Sequence, residues 1–119
     1  MRRPMDARPA ISQVTDGRGF LDGGTSASAP LWAGLIGLVN AELQKRKGAT
    51  ARAGYLTPVL YRIGEQGKPI GSVVCTDITV GDKASAAIGG YHAGPGYDTV
   101  IGWGSPIGTG LLEALLTVE

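Results

Sequence analysis

Cysteine is nearly absent from this chain of 119 residues, and its single occurrence, Cys75, excludes a disulfide within the chain. The apolar residues Val73 and Val74 beside it indicate a small buried side chain instead. An excess of one charge is also lacking, since the formal net charge is +1. The sequence therefore gives no electrostatic reason to expect nucleic acid or a membrane as a partner.

Long apolar runs are lacking as well, because no stretch approaches the roughly 18 apolar residues of a membrane-spanning helix. The basic start, Met1 to Met5, has no apolar region behind it and does not look like a secretion signal. We expect either a protein that stays inside the cell or an N-terminus that lies elsewhere, and the sequence predicts no particular localisation.

Glycine, in contrast, accounts for 20 residues, most of them in 17–24 and 81–110. Such clusters predict long loops that need a positive φ or a close approach of the backbone. The length allows one domain, and an apolar content of 43% with 18% charged residues predicts a globular chain. Residues 1–16 have the composition of a loop or an untethered arm, and 17–24 that of a glycine-rich turn.

The strongest helical pattern runs from about Ala29 to Lys47. Pro30 is tolerated in the first turn, and the basic residues Lys45–Lys47 before Gly48 are typical of a solvated helix end. The apolar residues recur at spacings of three and four and predict a broad buried face: Leu31, Trp32, Leu35, Ile36, Leu38, Val39 and Leu43.

Three further elements follow along the chain. Thr57 and Pro58 suit the start of a short helix that continues through Ile63. The β-rich stretch 71–80 predicts a strand, and glycine-rich loops dominate 81–106. A final helix is predicted over about 109–116, with Thr109 as its N-cap.

The run Gly23-Gly24-Thr25-Ser26-Ala27-Ser28-Ala29-Pro30 places a serine between two glycines and a proline-started apolar helix. Unpaired amides and the dipole at the start of that helix would favour the oxyanion formed when a serine attacks a carbonyl. These residue types make Ser26 a candidate nucleophile. The alternative is that Thr25, Ser26 or Ser28 is simply the N-cap of the helix.

A second constellation lies downstream, where Asp77 and Asp98 stand 21 residues apart in a glycine-rich stretch. Calcium takes about six to eight oxygen ligands, many of them carbonyl oxygens of irregular loops. Gly94 and Gly96 could direct such oxygens to one side of an extended turn. The alternative is an Asx-turn loop that holds no metal.

Extended to Gly34, the serine run resembles the nucleophile motif of the sedolisins, the serine-carboxyl peptidases of family S53. The resemblance covers about residues 20–119, including the Thr57–Tyr61 helix and the Gly102–Pro106 turn, and leaves 1–19 unassigned. It implies an α/β fold, the C-terminal part of a subtilisin-like parallel-sheet domain. It further implies a serine endopeptidase that hydrolyses protein or peptide substrates through an acyl-enzyme at acidic pH, with Ser26 as the catalytic serine.

The resemblance also implies one bound Ca²⁺ ion. The matching ligands are the carboxylates of Asp77 and Asp98 and the carbonyl oxygens of Ile78, Gly94 and Gly96, with water completing the shell.

A base for the serine is not evident in the chain. Sedolisins use a glutamate base oriented by an aspartate, with a further aspartate in the oxyanion hole, all upstream of the serine. Asp6, Asp16 and Asp22 do not match those motifs, and His92 follows the serine and is interpreted as a surface-loop residue. We therefore expect the C-terminal segment of a peptidase domain, inactive alone and completed by a missing N-terminal part of the same enzyme.

Two alternatives remain. The chain could be a non-catalytic truncated remnant or a calcium-binding fragment. It could also be an unrelated serine hydrolase of subtilisin type, although the position of His92 after Ser26 argues against that order of catalytic residues. Members of the sedolisin family are typically secreted, which the resemblance implies but the start of the chain does not indicate.

Overall fold

The computed structural model describes residues 11–22, 25–83 and 87–118. The described chain divides into two compact units, Met1–Ile36 and Gly37–Glu119. The elements, in chain order, are β1 Ile11–Thr15, β2 Arg18–Asp22, α1 Thr25–Lys47, α2 Leu56–Tyr61, α3 Ile70–Val74, β3 Cys75–Thr76, β4 Ser105–Pro106 and α4 Gly108–Thr117. This mixture of helices and small strands confirms the α/β class at its coarse level.

The first unit begins with an antiparallel hairpin of β1 and β2, in which Thr15 pairs with Arg18. The connection is therefore a two-residue turn, and both of its residues have a positive φ, 51° at Asp16 and 72° at Gly17. Two successive positive φ angles are typical of a type I′ turn, the kind that matches the twist of paired strands. The predicted loop or arm over 1–16 is thus wrong for 11–15, and the remainder of that prediction lies outside the described residues.

Helix α1 starts four residues earlier than predicted and ends at the predicted Lys47. Gly48 follows with φ 109° and donates its amide to the carbonyl of Gln44, as expected of a glycine cap. Lys45 and Arg46 pair with Glu42 at 3.1 and 3.4 Å, which confirms a solvated basic helix end.

The broad buried face predicted for α1 is confirmed in part. Val39 and Leu43 are buried and Trp32, Leu35 and Ile36 are half-buried, whereas Leu31 and Leu38 are 66% and 73% exposed. The apolar spacing specifies a face that the described residues cover only partly.

The core of the second unit forms where α1, α3 and α4 supply apolar side chains. Asn40 of α1 accepts the amide of Ala53 at 2.7 Å and so ties the segment after the helix back to it. The amide of Ile107 donates to the carbonyl of Val74 at 2.7 Å, which joins the start of α4 to the end of α3. The buried apolar residues are Val39, Leu43, Ala53, Ile70, Val74, Cys75, Leu111 and Leu115.

Cys75 lies in this core as a free thiol, as predicted. Burial raises the pKa of the Cys75 thiol, so the neutral form is favoured.

The predicted strand over 71–80 is wrong, because Ile70–Val74 is a helix and only Cys75–Thr76 are extended and paired. Pro69 stands at the N-cap of α3, and the amide of Ser72 donates to its carbonyl at 3.0 Å. Burial of Ile70 and Val74 against the core then outweighs the β preference of the valines, since strand propensity depends on tertiary context.

The two short predicted helices are confirmed, with shifted ends. Helix α2 ends at Tyr61 rather than Ile63. Helix α4 begins at Gly108, so its N-cap is Ile107 and the prediction of Thr109 as the cap is wrong. Within the described residues, no helix is long and apolar enough to cross a membrane.

Candidate functional site

Ser26 is the second residue of α1, and its side chain is exposed. Within the part of the chain that the structure describes, no residue forms a hydrogen bond with its hydroxyl. The first four amides of a helix have no intrahelical partner, so those of Thr25 to Ser28 have none within α1. The start of α1 therefore combines an exposed hydroxyl with amides that the helix itself does not pair.

Pro30 removes one more hydrogen bond from the same turn. It has no backbone N–H, so it cannot donate to the carbonyl four residues earlier, which is that of Ser26. The first turn of α1 is consequently held by fewer hydrogen bonds than an ordinary one.

The structure also bears on the capping alternative. Because α1 begins at Thr25, Thr25, Ser26 and Ser28 all lie within the helix. Gly23 and Gly24 of the serine run lie outside the described residues. None of the three hydroxyl residues is therefore the N-cap.

The candidate cation loop is the segment 94–98, and both candidate carboxylates bind it. Asp77 Oδ2 accepts the amide of Gly96 at 2.7 Å, and Asp98 Oδ2 accepts the amide of Gly94 at 3.2 Å. Asp77 precedes the loop by 17 residues, so this contact closes a large excursion of the chain. Four of the five residues predicted as ligands are thus brought together by direct hydrogen bonds.

Asp98 is also the organising residue of the turn that follows. Its Oδ1 accepts the amides of Val100 and Ile101 at 2.8 and 2.9 Å. These bonds, the one from Ile101 foremost, hold the pKa of the Asp98 carboxyl below its ordinary value. The carboxylate form of Asp98 is therefore favoured in the folded chain.

Both candidate carboxylates keep oxygen lone pairs beyond those used in hydrogen bonds. A carboxylate offers about four lone-pair positions, and Asp77 uses one and Asp98 three in hydrogen bonds from described residues. Among the described residues, no three His, Cys, Asp or Glu side chains gather as a metal-binding group. A cation here would consequently depend on carbonyl oxygens as well as on the two carboxylates, as calcium sites commonly do.

Ile78 and His92 lie near this loop in the chain. Ile78 directly follows Asp77 and is half-buried. His92 is exposed, as predicted, and forms an antiparallel bridge with Asp82. The amide of Ala93 donates to the carbonyl of Gly81 at 2.9 Å and extends that pairing.

An aromatic cluster of Tyr61, Tyr97 and Trp103 adjoins the loop, and the sequence did not predict it. The ring centroids are 5.2 Å apart for Tyr97 and Trp103, 5.6 Å for Tyr61 and Trp103, and 5.7 Å for the two tyrosines. The Trp103 indole packs so closely on Gly71 of α3 that a Cβ there would overlap it. Tyr61 lies 36 residues before Tyr97 in the chain, and no periodic pattern links it to Tyr97 and Trp103.

Comparison with known proteins finds relatives over nearly the whole chain. No family model matches the chain. Kumamolisin of Bacillus sp. (strain MN-32) is 43% identical over 112 residues, which are 93% of this chain and 18% of that protein. Tripeptidyl-peptidase sed1 of Aspergillus fumigatus is 30% identical over 119 residues, 94% of this chain and 17% of that protein. Human tripeptidyl-peptidase 1 is 29% identical over 120 residues, 92% of this chain and 20% of that protein.

The chain belongs to the sedolisin family. Its similarity to other sedolisins extends beyond the predicted range 20–119, because the matches take in 92% or more of the chain. The chain spans about a fifth of the length of the curated sedolisins that it matches.

Proposed function

We propose that this chain carries the nucleophile of a sedolisin-type serine endopeptidase and that Ser26 is that nucleophile. The observation that carries the proposal is the placement of Ser26, exposed in the first turn of α1, in a chain 43% identical to Kumamolisin. The relatives are serine-carboxyl peptidases, so protein or peptide substrates follow for a chain that works as they do.

In the proposed reaction, Ser26 Oγ attacks the carbonyl carbon of the scissile peptide bond while its proton passes to a carboxylate base. The carbonyl oxygen becomes an oxyanion, which the unpaired amides and the dipole at the start of α1 would stabilise. Collapse of the intermediate expels the amine, which takes up the proton and leaves the acyl group on Ser26. Water then attacks the ester while the carboxylate again accepts the proton. Collapse of this second intermediate breaks the ester bond, returns the proton to Ser26 Oγ and releases the carboxylic acid product.

The base and the acid of the oxyanion hole are proposed to lie upstream of Ser26 in a complete sedolisin domain. A carboxylate can accept the serine proton only where it is ionised, whereas an aspartate can donate to the oxyanion only where it is protonated. Both conditions are met together at acidic pH. The exposed apolar residues Leu31 and Leu38 of α1 support a larger domain, because they offer a surface for further chain to cover.

We also propose that the loop 94–98 holds one Ca²⁺ ion. The ligands would be the carboxylates of Asp77 and Asp98 and the carbonyl oxygens of Ile78, Gly94 and Gly96, with water. Support comes from the hydrogen bonds that bring both aspartates onto the loop. When bound, the ion would supply a structural cross-link between segments distant in sequence and would take no part in the proton transfers.

The proposal is tested with a chimera in which this chain replaces the corresponding segment of Kumamolisin. We expect the chimera to cleave a denatured protein at pH 3–5, and Ser26→Ala to lower the rate by at least about a thousandfold. Mass spectrometry of the products would separate internal cleavage from the release of tripeptides, which the names of two relatives indicate for those proteins.

The matched control is Ser28→Ala, which removes a neighbouring hydroxyl of the same turn and is expected to retain activity. A chimera that folds, as judged by a cooperative thermal transition, and yet shows no serine-dependent cleavage would contradict the peptidase proposal. That outcome would favour the alternative of a non-catalytic, calcium-stabilised segment.

A further inference from the structure

Tyr97 occupies an unusual place in the candidate cation loop. It stands between Gly96, whose amide donates to Asp77, and Asp98, whose carboxylate accepts the amide of Gly94. A shift of the Tyr97 ring would therefore move the backbone of the two neighbouring candidate ligands, Gly96 and Asp98. The ring is half exposed and packs edge-to-face on both Tyr61 and Trp103.

The other side of Asp98 is held by the same cluster. The amide of Asp98 donates to the carbonyl of Gly102 at 3.2 Å, and the amide of Gly102 donates back to the carbonyl of Asp98 at 3.0 Å. Gly102 is followed directly by Trp103, whose indole lies against Gly71 of α3. Asp98 is thus linked through the backbone to both rings, because it directly follows Tyr97 and its hydrogen-bonded partner Gly102 directly precedes Trp103.

Tyr61 ties this arrangement to the helical part of the second unit. It is the last residue of α2, and its ring centroid lies 5.6 Å from that of Trp103 and 5.7 Å from that of Tyr97. The neighbouring Tyr97 side chain raises the pKa of the Tyr61 phenol, in agreement with the close approach of the two rings.

Apart from the hydrogen bonds that Asp77 and Asp98 accept, the glycines of the loop give it little to define its shape. Gly94 and Gly96 lack side chains, and Gly96 has φ 80°, a conformation open chiefly to glycine. Such a backbone loses much conformational entropy when a ligand orders it, and contacts that order it in advance reduce that loss.

We propose that the aromatic cluster of Tyr61, Tyr97 and Trp103 positions the loop 94–98 for its cation, so that Tyr61 controls calcium affinity without touching the ion. The inference rests on the proposed calcium site. Tyr61 is a positioning residue, since it acts through Tyr97 and Trp103 on the backbone that carries the candidate ligands.

The test is calorimetric titration of the 119-residue chain with Ca²⁺, comparing the wild type, Tyr61→Phe and Tyr61→Ala. Two aromatic contacts are lost in Tyr61→Ala, so we expect its Kd for calcium to rise at least about fivefold. Tyr61→Phe keeps both rings in contact and is expected to stay within about twofold of the wild type. Tyr55→Ala removes a tyrosine that is 80% exposed and lies outside the cluster, and it should leave the Kd unchanged.

A spectroscopic arm uses Tb³⁺, whose luminescence is sensitised by nearby aromatic rings. We expect Trp103→Phe to lower the sensitised emission. An unchanged calcium Kd in Tyr61→Ala would overturn the positioning role while leaving the calcium site intact. A wild-type chain that binds no Ca²⁺ would overturn the calcium proposal itself, and the positioning role with it.

Discussion

A single side chain, Asp98, organises much of the candidate cation loop. Its two oxygens accept three amide hydrogen bonds, from residues both before and after it in the chain. Such bonds favour the ionised carboxyl, which is why the pKa of Asp98 is lowered. The same residue therefore shapes the loop and keeps its own negative charge available.

This linkage predicts a pH dependence of stability. A carboxyl whose pKa is lowered in the folded chain stabilises it above the ordinary pKa of about 3.9, and this contribution is lost as pH falls through the folded value. We expect the free energy of unfolding of the wild type, measured with a calcium chelator, to fall more steeply below pH 4 than that of Asp98→Asn. An equal pH dependence of the free energy of unfolding in the two proteins would contradict the lowered pKa of Asp98.

Glu42 provides a comparison at the same scale. Its pKa is also lowered, first by the hydrogen bond from Lys45 and then by the charge of that residue. Because this ion pair is exposed, salt should screen it. The hydrogen bonds that the Asp98 carboxylate accepts from backbone amides are, in contrast, insensitive to salt. The slope that distinguishes Asp98→Asn from the wild type should therefore persist at 1 M salt, where the Debye length is about 3 Å.

At the scale of elements, the sequence predicts what depends on local pattern. The 3–4 spacing of apolar residues locates α1 and α4. The hairpin is missed because the composition of 1–16 indicates a loop, although Asp16-Gly17 is a turn signal and both residues have a positive φ. Helix α3 could not be predicted from its valines, because its conformation depends on contacts with residues distant in sequence.

The clearest of these contacts is that between α3 and Trp103, and it predicts a specific destabilisation. A Cβ at Gly71 would overlap the indole, so Gly71→Ala should lower the free energy of unfolding by about 1–3 kcal/mol. The matched control is Gly37→Ala in α1, where a Cβ meets nothing and helix propensity predicts a gain of about 0.5–1 kcal/mol. Chemical denaturation measures both, and a neutral Gly71→Ala would show that the indole does not lie against α3.

At the scale of the whole molecule, the predictable part of the site is the part encoded in contiguous strings. The serine run and the glycine-rich run that ends in Asp98 are such strings, and the family follows from them together with Asp77. The aromatic cluster is not, because Tyr61 meets Tyr97 and Trp103 only after α2 has packed against the turn that follows the loop. The exposed apolar residues of α1 likewise cannot be interpreted from the sequence alone, but only by comparison with relatives that are about five times as long.

The most direct test of the central proposal, that Ser26 is the nucleophile, is to locate the acyl group during turnover. The Kumamolisin chimera would be mixed with an activated peptide ester at acidic pH, quenched in acid within the first turnover and mapped by mass spectrometry. The account predicts an acyl group on Ser26 and none in Ser26→Ala. An acyl group on Thr25 or Ser28, or turnover without any acylated serine, would contradict it.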